Sequence, residues 1–327
     1  MRWFTGGMDH PSVFPYKPSS HNMQKFFAIP IIFLSLLIWS VSLQAQQVDL
    51  TGVIDMHVHA GPDSRPRAMN DLQAAQLAQQ AGLRAIVLKN HFTMTADRAA
   101  LAMDQVEGLE IFGGIALNRA VGGINPEAVR QLVAFSGGRG KVVWLPTFDA
   151  EFYVTRAGSG DAFVSIMEGD RPVDGLTEVF SIIAENDLVL AMGHSAPEEV
   201  LALIPLAREQ GIRSILITHV FGQGATFQQM QQMADTGAIM ELDWLAAYTN
   251  PDLIDAYVNA IQAIGADRFI ISSDFGQAGN PDHATGLTEF IRILYAAGLS
   301  DSQIDLLARQ NPAKLLGLDQ PVLLRTD

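Results

Sequence analysis

The strongest constraint on the fold is a rhythm that repeats eight times from about residue 50 onward. Short apolar runs, often β-branched, alternate with longer amphipathic stretches, which is the pattern of βα units around a parallel sheet. The predicted strands are Gly52–Met56, Ala85–Leu88, Ile111–Ala116, Lys141–Leu145, Leu188–Met192, Ser214–Thr218, Ala238–Leu242 and Phe269–Ser273. The clearest predicted helices are Asp71–Ala81, Pro126–Ala134, Pro197–Gln210, Thr226–Ala234 and Pro251–Ile264.

Eight such units predict an α/β fold, a single-domain (β/α)8 TIM barrel with parallel strands. A doubly wound open sheet is the competing topology. It is disfavoured because no Gly-rich phosphate-binding turn follows the first strand. The longest stretch without a regular pattern, residues 146–174, is predicted to form a lid or substrate loop.

Residues 1–46 are predicted to be an N-terminal extension plus a signal peptide. The apolar run Phe26–Val41 follows a basic residue and precedes Ala45, a small residue near the candidate cleavage point. A run of this length is short of the roughly 20 residues that span a bilayer. The stretch before Met23 is polar and turn-rich, with Pro11, Pro15 and Pro18, so we expect translation to start at Met23. The barrel, residues 47–327, is then expected to be periplasmic or secreted and free of the membrane. An uncleaved membrane anchor is the alternative.

Composition restricts the chemistry and the partners. The chain has no cysteine, which excludes disulfides, thiolate metal ligands and a cysteine nucleophile. The formal net charge of -14 argues against a nucleic-acid partner bound through phosphates. A small-molecule substrate is expected, and a homo-oligomer is left open.

Histidines mark the ends of the predicted strands. The residues concerned are His57 and His59 after the first strand, His91 after the second, His194 after the fifth and His219 after the sixth, with Asp274 ending the eighth. Because the carboxyl ends of barrel strands meet at one mouth, these side chains are predicted to be neighbours. Alternation along a strand points both histidines of His-x-His to the same side, and neutral imidazole is a favoured zinc ligand. The pattern predicts a divalent metal site with one or two ions; zinc suits it best, while manganese, iron and nickel stay open.

These motifs resemble the amidohydrolase superfamily of metal-dependent barrel enzymes, and the segment from Ala308 to Gly317 is similar to the terminal helix of that family. The resemblance implies hydrolysis of an amide, lactone or ester bond by a metal-activated water. It implies these roles: His57 and His59 as ligands, His194 and His219 completing the set, and Asp274 as a ligand or general base. A decarboxylase of the aminocarboxymuconate-semialdehyde decarboxylase type and a non-catalytic exported binding protein are the alternatives.

One position departs from the family pattern. Members with a bridging carboxylated lysine carry it at the end of the fourth strand, where this chain reads Trp144-Leu-Pro-Thr. Lys89 instead ends the second strand beside His91, and three roles stay open: a displaced bridging ligand, a cation that binds a substrate carboxylate, or an ordinary surface lysine. The pattern is compatible with two kinds of centre. One is a mononuclear centre in which His219 polarises the substrate, and the other is a binuclear centre.

Other residues at the same end of the barrel are weaker candidates. Arg65 and Arg67 either bind an anionic group or belong to a solvated loop, and strand-end polar residues often cap helices instead of binding substrate. The remaining candidates are Thr147, Asp149 and Asp243 at strand ends, His283 as a peripheral residue, and Phe152, Tyr153, Phe221 and Phe275 as an aromatic pocket wall.

Overall fold

The computed structural model describes residues 48–318, and the predicted signal peptide and start at Met23 lie outside this range. Eight parallel strands form one sheet in chain order. They are β1 (Ile54–His59), β2 (Ala85–Lys89), β3 (Glu110–Ala116), β4 (Gly140–Trp144), β5 (Val189–Ala191), β6 (Ser214–Ile217), β7 (Ile239–Asp243) and β8 (Phe269–Ser272).

The sheet closes into a barrel where the end of β8 meets β1. The amide of Asp274 donates to the carbonyl of His57 at 3.0 Å, and the amide of His59 donates to the carbonyl of Phe275 at 2.8 Å. The predicted (β/α)8 barrel is therefore confirmed, and the doubly wound open sheet is excluded.

Helices surround the barrel and also cover its two ends. They are α1 (Asp71–Gln80), α2 (Ala96–Met103), α3 (Pro126–Ala134), α4 (Glu151–Ala157), α5 (Leu176–Glu185), α6 (Pro197–Glu209), α7 (Phe227–Asp235), α8 (Trp244–Thr249), α9 (Leu253–Ile264), α10 (His283–Ala296), α11 (Asp301–Asp305) and α12 (Asn311–Leu316), with a π-helical segment Leu306–Gln310 before α12. Across residues 48–318, none of these helices has the length and apolar character to cross a bilayer.

Apolar side chains fill the barrel from its N-terminal end. Met56, Val87, Phe112 and Trp144 are buried inside, and side chains of α12 pack against this inner cluster. One end of the barrel is thus closed by packing, which leaves polar side chains to line the C-terminal end.

Two sequence predictions need correction. The first strand runs to His59, because Val58 and His59 still pair with Leu88 and Lys89 of β2. The segment 146–174 is not irregular throughout, since it contains α4 and a two-stranded hairpin, Met167–Glu168 with Arg171–Pro172.

Candidate active site

A cavity of about 770 Å³ opens at the C-terminal ends of the strands. Its polar lining comes from the ends of seven of the eight strands and the segments that follow them, and its apolar wall comes mainly from α4 and α8. The ionisable residues that line it are His59, Arg65, Arg67, His91, Tyr153, Arg156, His194, His219, Asp243 and Asp274. The barrel therefore brings together side chains from residues 59 to 274, as the sequence predicted.

Five imidazole rings form a closed circuit at the base of this cavity. Adjacent ring centroids are 5.1 Å apart for His57 and His59, 5.0 Å for His59 and His91, and 6.2 Å for His91 and His194. The circuit closes through His219, whose ring lies 5.4 Å from that of His194 and 5.0 Å from that of His57. All five predicted strand-end histidines thus lie in one cluster.

The Asp274 carboxylate lies against this circuit. Its Oδ1 atom is 3.0 Å from Nε2 of both His57 and His59, and its Oδ2 atom is 3.9 Å from Nε2 of His219. His57, His219 and Asp274 each offer a ligand atom within 4.8 Å of the others. Asp274 and His219 both have positive φ angles, 51° and 50°, a conformation that is uncommon for non-glycine residues and concentrates at functional sites.

Carboxylates orient two of these histidines from behind. Nδ1 of His57 lies 3.0 Å from Oε1 of Glu241, which also accepts a hydrogen bond from the Ser272 hydroxyl at 2.7 Å. Nδ1 of His219 lies 2.9 Å from Oδ2 of Asp243. Because a carboxylate can only accept, both Nδ1 atoms carry the hydrogen, and both Nε2 atoms are directed towards the Asp274 carboxylate. This is the arrangement that orients histidine ligands in metal sites.

Uncharged oxygen atoms orient two further histidines, His59 and His91. Nδ1 of His59 donates to the carbonyl oxygen of Lys89 at 3.1 Å, and Nδ1 of His91 lies 2.8 Å from the hydroxyl of Thr147. The side-chain amide of Asn118 donates to that same hydroxyl at 2.6 Å and holds it in place. Thr147 therefore acts behind His91 instead of lining the cavity.

Burial and charge move the pKa values of these residues apart. Burial lowers the pKa of His59 to about 3, which keeps its imidazole neutral. Burial also opposes protonation of His57, but the carboxylates of Asp274 and Glu241 outweigh it and raise the pKa of His57 to about 9. The same contact with His57 holds the pKa of Asp274 well below its usual range despite burial. The pKa values of these two adjacent histidines thus differ because His57 faces two carboxylates.

Two glycines allow the loops to approach the site closely. Gly276 has φ 131°, and a Cβ atom there would overlap the carbonyl oxygen of His59. Gly193 has φ 60°, and its Cβ would overlap the carbonyl oxygens of Leu145 and Pro146. Both positions require glycine for conformation and for space.

The residues present fit a divalent cation. Within residues 48–318, neither ring nitrogen of the buried His194 has a hydrogen-bond partner. Buried polar atoms without partners cost free energy. A cation bound by imidazole nitrogens and the Asp274 carboxylate removes that cost, and this donor set suits zinc.

Lys89 is not a surface lysine, so that interpretation is wrong. Its side chain is buried under the cavity, with Nζ 5.2 Å from the Trp144 ring centroid and no hydrogen-bond partner in the described part of the chain. Burial lowers the pKa of Lys89 to about 8, against the opposing effect of nearby carboxylates. Lys89 is absent from the cavity lining, and its other two predicted roles stay predictions.

The weaker candidates divide into those at the cavity and those elsewhere. Arg65, Arg67, Phe152 and Tyr153 line the cavity, and so does Phe148, which the sequence did not single out. Asp243 lines the cavity and also caps a helix, since its Oδ1 atom accepts a hydrogen bond from the amide of Ala246 in α8 at 2.8 Å. Four candidates lie away from the cavity lining. Phe221 packs on Tyr257, and Phe275 is fully buried. Asp149 accepts a hydrogen bond from the Arg119 amide, and His283 is buried against Asp55 and the Ala74 carbonyl.

Glu241 is the main residue of the candidate site that the sequence analysis missed. It lies inside β7, is 1% exposed and orients His57. A charged residue in an otherwise apolar strand was the available signal, because a buried carboxylate needs a partner.

Residues 52–241 match the model of a family described as "Family of unknown function (DUF6282)". The chain belongs to this family. The matched range contains the five histidines of the circuit and Glu241, while Asp274 lies beyond it. A search of curated proteins finds no match.

Solved structures with a similar fold include hydrolases and a decarboxylase. A candidate 2-pyrone-4,6-dicarboxylic acid hydrolase from Pseudomonas putida aligns with a TM-score of 0.57 and 16% identity over 84% of this chain and 100% of its own. A 2,6-dihydroxybenzoate decarboxylase from Rhizobium aligns with a TM-score of 0.54 and 13% identity over 83% and 100%. An organophosphorus hydrolase variant from Deinococcus radiodurans aligns with a TM-score of 0.54 and 15% identity over 84% and 94%. At these identities the likeness shows the fold alone, and it agrees with the predicted (β/α)8 barrel.

Proposed function

We propose that this chain is a metal-dependent hydrolase, exported from the cytoplasm, that cleaves an ester, lactone or amide bond in a small molecule. One observation carries the proposal: the Asp274 carboxylate lies among the Nε2 atoms of His57, His59 and His219 at the base of a cavity of about 770 Å³. A cavity of this size can enclose most of a small ligand.

His57, His59 and Asp274 would hold the cation, with His219 or His194 completing the set. A bound divalent cation supplies Lewis-acid polarisation of a carbonyl oxygen and makes water acidic enough to lose a proton near pH 7.

The chain's own residues would handle the protons. Asp274 is in position to accept a proton from water in the cavity and to return it to the leaving group. His219 faces the same space, with Nδ1 fixed by Asp243, so its Nε2 atom can contact a substrate oxygen. Glu241 keeps His57 in the tautomer that presents Nε2 to the site.

The test compares two matched carboxylate-to-amide changes. Zinc-loaded wild-type protein is expected to hydrolyse a chromogenic ester or lactone, and activity should fall after dialysis against a chelator and return with zinc. Asp274→Asn should lower kcat by about 100-fold or more, the typical contribution of a positioned acid–base group. Asp149→Asn is the control, because Asp149 lies at a strand end but outside the cavity lining. Equal activity in both variants, or activity that chelation leaves unchanged, would refute the proposal.

Decarboxylation is the second candidate, because arginine side chains at the mouth can bind a carboxylate substrate. Product analysis separates the two reactions. Hydrolysis consumes water and conserves every carbon in its products, whereas decarboxylation releases carbon dioxide.

A further inference from the structure

Three arginines line a cavity in a chain that is acidic overall. Arg65 and Arg67 come from the loop after β1, and Arg156 comes from the last turn of α4. The chain has only 21 basic residues against 35 acidic ones, so three in one cavity mark a local concentration of positive charge. Such a concentration favours an anionic ligand.

The three guanidinium groups differ in how many ion pairs and hydrogen bonds they make within the protein. Nε of Arg67 contacts Oδ2 of Asp63 at 2.6 Å, which neutralises its charge. Arg156 donates to the carbonyl oxygen of Gly222 at 3.0 Å. In the described part of the chain, Arg65 has no carboxylate within ion-pair distance and no side-chain hydrogen bond. Arg65 is therefore the cation most available to a ligand.

Aromatic packing holds Arg65 in place while leaving its donors free. Its guanidinium carbon lies 4.2 Å from the centroid of the Phe148 ring and 5.7 Å from that of Phe92. A guanidinium over a ring uses its face for that contact and keeps its in-plane N–H groups for a planar acceptor. A carboxylate is the acceptor that matches this fork.

Phe148 also places Arg65 close to the proposed metal site. Its ring centroid lies 3.9 Å from that of His91, which in turn lies 5.0 Å from that of His59. A single aromatic side chain thus separates the guanidinium from the histidine circuit. A ligand bound to both would need a carboxylate a few bonds away from its reacting carbonyl.

We propose that the substrate carries a free carboxylate in addition to the scissile group, and that Arg65 binds this carboxylate while the scissile carbonyl lies beside Asp274. This inference rests on the proposed hydrolase function. The carboxylate stays intact through the reaction and serves to orient the substrate. Arg65 is thus a specificity-determining residue.

The kinetic test uses two esters of similar length that differ in this one group: mono-4-nitrophenyl glutarate and 4-nitrophenyl valerate. With zinc-loaded wild-type protein, kcat/KM is expected to be about 10- to 100-fold higher for the glutarate ester, the range expected for hydrogen bonds to a charged group, mostly through KM. Arg65→Gln should remove this preference. Arg213→Gln should retain it, because Arg213 pairs with Asp187 on the surface.

A binding measurement keeps the inference separate from the proposed function. Glutarate is titrated calorimetrically into metal-free wild-type protein, Arg65→Gln and Arg213→Gln, with glutaramide as the uncharged comparison. Glutarate should bind at least tenfold more weakly to Arg65→Gln than to the other two proteins. If neither ester is hydrolysed but this difference is found, the hydrolase proposal fails and the carboxylate site stands. Equal glutarate affinity in all three proteins, or equal kcat/KM for both esters in wild type, would overturn the inference.

Discussion

The affinity for a metal should depend strongly on pH, and His57 sets the magnitude. In the metal-free protein, contact with Asp274 and Glu241 raises the pKa of His57 to about 9, so its imidazole is protonated at pH 7. A histidine ligand must be neutral, so binding a cation displaces that proton.

The free-energy cost of removing this proton depends on the difference between the solution pH and the pKa of His57. Two pH units correspond to about 2.7 kcal/mol, or roughly 100-fold in apparent affinity at pH 7 compared with the plateau above pH 9. Because the pKa is raised, affinity should increase as pH rises, by about tenfold per unit below pH 9, and then level off.

Competition with a chromophoric chelator measures this dependence, with zinc and with a correction for the chelator's own protonation. Glu241→Gln is the internal comparison: removing one of the two carboxylates should move the rising part of the curve to lower pH. An apparent affinity for zinc that does not change between pH 6.5 and 9 would show that His57 neither holds the proton nor binds the metal.

Three further outcomes are expected. Glu241→Gln should weaken zinc binding about 10- to 100-fold at its plateau, as changes behind metal ligands typically do, whereas unchanged affinity would remove Glu241 from the site. Lys89→Met should raise the free energy of unfolding of the metal-free protein by about 3 kcal/mol at pH 7 in urea denaturation, because the pKa of Lys89 falls from 10.5 to about 8 on folding. This gain should disappear as pH rises from 8 to 10.5. A loss of stability at pH 7 would contradict the prediction. Gly276→Ala should lower the melting temperature by several degrees, since its Cβ would overlap the His59 carbonyl, and an unchanged melting temperature would mean that the loop can move aside.

The barrel was predictable because its strands are apolar runs with clear ends, and because strand ends meet in any parallel barrel. The positions of the five histidines and of Asp274 at the strand ends were therefore predictable from the sequence. The end of β1 was misplaced, since His57 and His59 look like loop residues by polarity although both belong to β1 and His59 pairs with Lys89 of β2. Polarity indicates a loop only where the neighbouring space is solvent.

Other features depend on contacts that no local pattern records. The helix α4 was missed because it is seven residues long and Ala150 at its start gives no side-chain cap. The burial of Lys89 depends on Trp144 from a different strand, and the role of Glu241 depends on a partner 184 positions away in sequence. Such roles become visible only when the barrel closes.

Anomalous X-ray scattering at the zinc edge, on crystals grown with zinc, tests the central claim most directly. The strongest peak is expected beside Nε2 of His57 and His59 and the carboxylate of Asp274, and it should be absent in His57→Ala. A wild-type map without a peak at this position, in crystals where zinc binds elsewhere, would contradict the proposed metal centre and the hydrolase function that depends on it.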